Sequence, residues 1–269
     1  MQQRRDERLS VAVIARALIV CALGFSYIAA FWFYPAQRWP LYRSIYAATR
    51  WLLDRLPLRR PLRWVLQSWS FVGAAVLVLA AAGRSPRSLG LARATRQGWR
   101  LVGVAFVAAL PVMIVVGMQQ AVQRYYAAIF RADGVMALVA NALVLLSEHV
   151  ILQGVILALA LPSGTLQREE EPLRRGRLAA LGLGLPDGER GVLAWLGVPA
   201  GVWPALVFSA VLFGLVHAGK ASAEIAAAFP GGLGLALLTY RVRAVWPAVL
   251  LHASSGVVIF AVAWFGRSG

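Results

Sequence analysis

Three histidines, His149, His217 and His252, and one glutamate, Glu148, fall within apolar stretches of this 269-residue chain, which has no other histidine. Ionisable groups inside a bilayer cost at least a few kcal/mol each, so they face a bundle interior, pair with one another and mark a site or pathway. A carboxylate held there can act as a base and then as an acid. An imidazole can orient a water or donate to developing negative charge. The same four residues also form a carboxylate and imidazole set that suits zinc. Any one such histidine is as readily a satisfied partner in a helix interface, but three beside a glutamate favour a shared site. The one cysteine, Cys21, excludes an intrachain disulfide framework and a thiolate metal cluster, which leaves the chemistry to His, Asp and Glu.

Apolar helices must hold these residues. The chain is 60% hydrophobic and only 14% charged, with a mean hydropathy of +0.69, more apolar surface than one soluble core can hide. About 20 apolar residues make one helical span. Runs of that order lie at 10–34, 64–83, 99–121, 134–161, 195–218, 222–240 and 244–266. The expected fold is therefore all-α, a polytopic transmembrane helical bundle of about seven spans. The first run is too long for a signal-peptide core and reads as a retained span. In the sixth, Phe229-Pro230-Gly231-Gly232 predicts a broken or kinked helix.

The net charge of +16 comes mostly from arginines in short segments between the spans, where anionic lipid headgroups are the natural counterion. Residues 35–63 mix seven arginines with Trp39, Tyr42, Tyr46 and Trp51, as a basic amphipathic segment on the membrane surface does. Residues 162–192, with Glu169-Glu170-Glu171 and five arginines, read as a solvated loop. Gly182-Leu183-Gly184 lacks the third glycine of a dinucleotide fingerprint, and there is no phosphate-binding loop. Neither nucleic acid nor nucleotide is an expected partner. Lys220 and Glu224, four apart, predict a local ion pair at a helix end.

The local contexts are Ser147-Glu148-His149-Val150-Ile151-Leu152-Gln153, Phe213-Gly214-Leu215-Val216-His217 and His252-Ala253-Ser254-Ser255-Gly256. In this order they resemble the three motifs of the CPBP intramembrane protease family, which includes the CAAX prenyl endopeptidase and bacteriocin-processing proteins. Its patterns are E-E-x-x-x-R, F-x-x-x-H and H-x-x-x-N. The lead-in Val245-Trp246-Pro247-Ala248-Val249-Leu250-Leu251-His252 is also similar to that family's, and the likeness covers about residues 134 to 260. The resemblance implies that Glu148 activates the attacking water, that His217 assists it, and that His252 stabilises the oxyanion of the tetrahedral intermediate. It divides the chain into N-terminal helices, residues 1–133, and a catalytic core, residues 134–269, with the loop inserted in it.

The motifs depart from the family at three places. His149 stands for the second glutamate, Gln153 for the arginine and Gly256 for the asparagine. Changing an acid and its cationic partner together avoids an unpaired buried charge. Losing one oxyanion donor costs about 10²- to 10³-fold in rate. Asn141, two helical turns before Glu148, is one expected substitute, and Ser255, one turn from His252, is another. Phe213 shares a face with His217, as packing or as part of the site. Adjacent helical residues diverge by about 100°, so Glu148 and His149 are poorly placed to share one ion. Catalysis without a cofactor is favoured over zinc held by Glu148, His149, His217 and His252.

The expected activity is hydrolysis of a peptide bond in a membrane-associated protein or peptide. The alternatives are a catalytically silent scaffold or binding protein of the same fold, and a transporter or proton relay. Arginine-for-lysine bias and alanine richness point to a bacterial cytoplasmic (inner) membrane.

Overall fold

The computed structural model describes residues 59–83, 89–91, 93–161, 198, 200–218 and 220–265, together with positions 18–22, 24, 47, 51, 55 and 57. Most of the first span and of the surface segment, and all of the loop at 162–192, lie outside the described residues. Among the described residues the chain is helical and has no strand. Among the described residues, five helices are long and apolar enough to cross a membrane. Their outward faces carry the exposed side chains of Leu77, Val107 and Val257, as lipid contact requires. The protein is an all-α helical membrane bundle.

Helix α1, Arg60–Ala81, starts with a proline in its first turn, where the missing N–H costs nothing. Helix α2, Arg96–Gly117, is capped by the Thr95 hydroxyl, which accepts from the Gly98 N–H at 3.1 Å. Helix α3, Gln120–His149, is interrupted at Gly134, whose φ of 57° is open to glycine and strained for other residues. The fourth apolar run was expected to begin at this residue. Beyond it the rod continues through a π-helical segment, Val150–Ile156, into the short helix α4, Leu157–Ala160. The stretch Val139–Ala160 is 83% buried, against 44% or less for the other four spans, so it is the central helix.

A 3₁₀ turn, Ala200–Val202, leads into helix α5, Trp203–Val216. The run at 195–218 was expected to span. Its α-helix has 14 residues, about 21 Å at 1.5 Å per residue, less than the roughly 30 Å of a hydrocarbon core. Its C-cap is His217, so this histidine sits at the end of a helix too short to cross. Helix α6, Ser222–Val242, runs without a break through Pro230, which corrects the expected interruption. The glycines there serve packing. A Cβ at Gly232 would lie 2.8 Å from the Phe213 Cβ, and one at Gly214 would strike the Phe229 ring. Glycine at both places lets α5 and α6 approach closely, and helix α7, Trp246–Phe265, completes the bundle.

A backbone clasp fixes the turn between α6 and α7. The Val245 N–H donates to the Gly90 carbonyl at 2.8 Å, and the Trp246 indole N–H donates to the Leu91 carbonyl at 3.0 Å. Leu89 in turn presses its carbonyl against Gly154, where a Cβ would approach to 3.2 Å. The segment at 89–91 thereby pins the start of α7 beside the π segment. His252, seven residues beyond Val245, is thereby held near His149, five before Gly154.

Candidate functional site

Three helices deliver one imidazole each. His149 is the last residue of α3, His217 caps α5, and His252 lies in the second turn of α7. Their rings surround Phe213. Its ring centroid is 4.7 Å from that of His217, 5.0 Å from His252 and 6.1 Å from His149. The His149 and His252 centroids are 5.0 Å apart, and those of His217 and His252 are 5.9 Å apart. Phe213 is thus the aromatic hub on which the three rings pack, held in turn by Gly232 on α6.

Hydrogen bonds orient each imidazole. His217 Nδ1 lies 2.8 Å from the Phe213 carbonyl oxygen. A carbonyl only accepts, so Nδ1 carries the proton and Nε2 keeps its lone pair. His149 Nδ1 is 2.7 Å from Gln153 Oε1, and His149 Nε2 is 2.8 Å from His252 Nδ1. His149 and Gln153 are therefore bonded to each other, and both have no solvent exposure.

Glu148 is buried next to His149 in the chain, and its Oε1 has no hydrogen-bond partner. Ser147, on its other side, bonds the buried Ser68 hydroxyl of α1 and ties α3 to that helix. The π segment begins directly after His149. Its N–H groups reach back five residues instead of four, which widens the helix and is frequent at functional sites. Ser209 of α5 donates to the Leu152 carbonyl within it at 3.1 Å and so locks α5 to the central rod.

A charged group flanks His217. The Lys220 N–H donates to the His217 carbonyl at 3.1 Å, and its ammonium meets Glu224 Oε1 at 2.9 Å, the ion pair expected from the spacing. Tyr126, from the first part of α3, donates its hydroxyl to the same carboxylate at 3.2 Å. Burial and then the Glu224 charge push the Tyr126 phenol well above its usual range, so it stays a donor. Nothing in the sequence marked Tyr126, which lies 98 residues from Glu224.

Neither residue expected to replace the missing asparagine joins the cluster. Asn141 is exposed, because the face it shares with Glu148 emerges from the core two turns earlier. Ser255 donates its hydroxyl to the Leu251 carbonyl of its own helix at 2.7 Å. A Cβ at Gly256 would meet nothing within 4 Å. Both nitrogens of His149 are hydrogen-bonded, Nδ1 to Gln153 and Nε2 to His252.

Set against models of known protein families, curated proteins and solved structures, the chain matches none.

Proposed function

We propose that the protein is an intramembrane endopeptidase of the CPBP kind, which hydrolyses a peptide bond in a membrane-associated protein or peptide with Glu148 and His217 as its central groups. The observation that carries this reading is the convergence of all three histidines, from three helices, around Phe213, with the buried Glu148 next to His149 in the chain. A carboxylate oxygen with no protein donor can take a proton from water. His217 Nε2, its tautomer held by the Phe213 carbonyl, can orient that water by accepting its other O–H. The hydroxide then adds to the peptide carbonyl. Glu148 returns its proton to the leaving amine as the C–N bond breaks, and the carbonyl oxygen's negative charge collapses to form the carboxyl group. The resemblance gives His252 the side of the intermediate where the oxyanion develops. The surface arginines would hold the bundle against anionic headgroups of a bacterial cytoplasmic membrane.

The test compares membrane-fraction peptides from cells carrying the natural protein and Glu148→Gln. A product made only with Glu148 supports the proposal and names the substrate. Identical profiles overturn it.

One observation favours a second reading, a silent scaffold of the same fold. Asn141 is exposed, Ser255 bonds its own helix and Gly256 offers no side chain, which leaves the cluster without the family's amide donor. Identical peptide profiles combined with stable capture of one membrane protein would select it.

A further inference from the structure

His149 and Gln153 occupy the places where the family pattern has a glutamate and an arginine, and their geometry fixes the direction of a hydrogen-bonded chain. An amide oxygen only accepts, so at 2.7 Å the His149 Nδ1 must be the donor to Gln153 Oε1. The reverse arrangement would set two lone pairs against each other. A neutral His149 with its proton on Nδ1 has an acceptor at Nε2. The 2.8 Å contact therefore has His252 donating from Nδ1. This leaves the His252 Nε2 as a lone pair.

We propose that His149 and Gln153 are positioning residues, a neutral relay that holds His252 in its Nδ1–H tautomer and presents Nε2 as a proton acceptor. His252 is then a second base beside His217, 5.9 Å away ring to ring. It can donate to an oxyanion only after taking up a proton. The inference deepens the peptide-hydrolase reading and rests on it for its consequence in catalysis. The relay itself stands on geometry alone. Physically, His149 supplies the acceptor that a carboxylate would offer, and Gln153 supplies the partner that an arginine would offer. No charge is placed at two positions with zero exposure.

The chain's having only three histidines makes the test direct. Full-length protein labelled with nitrogen-15 histidine in detergent micelles is examined by NMR at a pH where the imidazoles are neutral, with assignment by single replacement of each histidine. The expected result is the Nδ1–H tautomer at His252. Gln153→Leu should mix the tautomers of His149 and His252. Gln153→Glu, whose carboxylate accepts the same bond, should preserve them. With a substrate in hand, Gln153→Leu should lower kcat by about tenfold or more at unchanged KM, and Gln153→Glu should recover most of it. An Nε2–H tautomer at His252 in the natural protein, or a His252 signature unmoved by Gln153→Leu, overturns the relay. The NMR readout needs no substrate. A protein that shows the relay and cleaves nothing upholds this inference and removes the hydrolase reading.

Discussion

At the scale of single residues, Glu148 carries the greatest consequence. Its neighbours in the chain are both committed, Ser147 to Ser68 and His149 to Gln153 and His252, while one of its own oxygens has no partner. Under the proposed peptide-hydrolase reading, Glu148→Gln keeps size and removes the proposed base, so processing should fall by at least about 10³-fold while the protein elutes as the folded bundle. Gly256→Asn is the opposite experiment. The position is helical and open, so an asparagine fits and, under the proposed reading, supplies the donor that the CPBP pattern has there. The rate should rise about tenfold or more, given what one oxyanion donor contributes. No rise would count against an oxyanion near α7. Asn141→Ala should leave the rate unchanged, because the side chain is exposed outside the cluster. These residues show what was legible locally. Residue types pointed to Glu148 and the three histidines, and the resemblance to the CPBP motifs paired positions 149 and 153. They could not tell that Asn141 faces outward or that Ser255 bonds its own helix, since a shared helical face says nothing about where that face leaves the core.

At the scale of elements, the close approach of α5 and α6 positions the aromatic hub. Gly231 and Gly232 make a clean comparison, since a Cβ at Gly231 meets nothing within 4 Å and one at Gly232 enters the Phe213 side chain. Gly231→Ala should be neutral or stabilise by about 0.5–1 kcal/mol through helix propensity. Gly232→Val should destabilise by about 1–3 kcal/mol from overpacking and displace Phe213 from between the imidazoles. Thermal unfolding in detergent separates the two. A Gly-Gly pair after proline reads as a helix break because each residue is a poor helix former alone. Burial against a neighbouring helix overrides that preference, so α6 continues through Pro230. The π segment was likewise invisible, because Val150 to Ile156 is as apolar as any α-helical stretch.

At the scale of the whole molecule, one oppositely charged pair is taken into a small, largely buried network. Lys220, Glu224 and Tyr126 join the turn after α5, the start of α6 and the start of α3. Lys220→Met should lower the melting temperature by stranding the Glu224 carboxylate. Adding Glu224→Leu should restore much of the loss, because removing both partners leaves no unpaired charge. Equal losses in the single and double variants would show the pair to be inert. Composition and run length determined by themselves that this is a helical membrane protein, and they singled out Glu148 and the histidines as ionisable groups within apolar runs. Both follow from the cost of exposing polar groups to lipid, which acts on every residue regardless of partners. Only the tertiary structure decided which imidazole faces which. That choice depends on contacts 103 residues apart in sequence between His149 and His252, set by a clasp of backbone carbonyls and by glycines that admit a phenylalanine, and no local pattern encodes such distances.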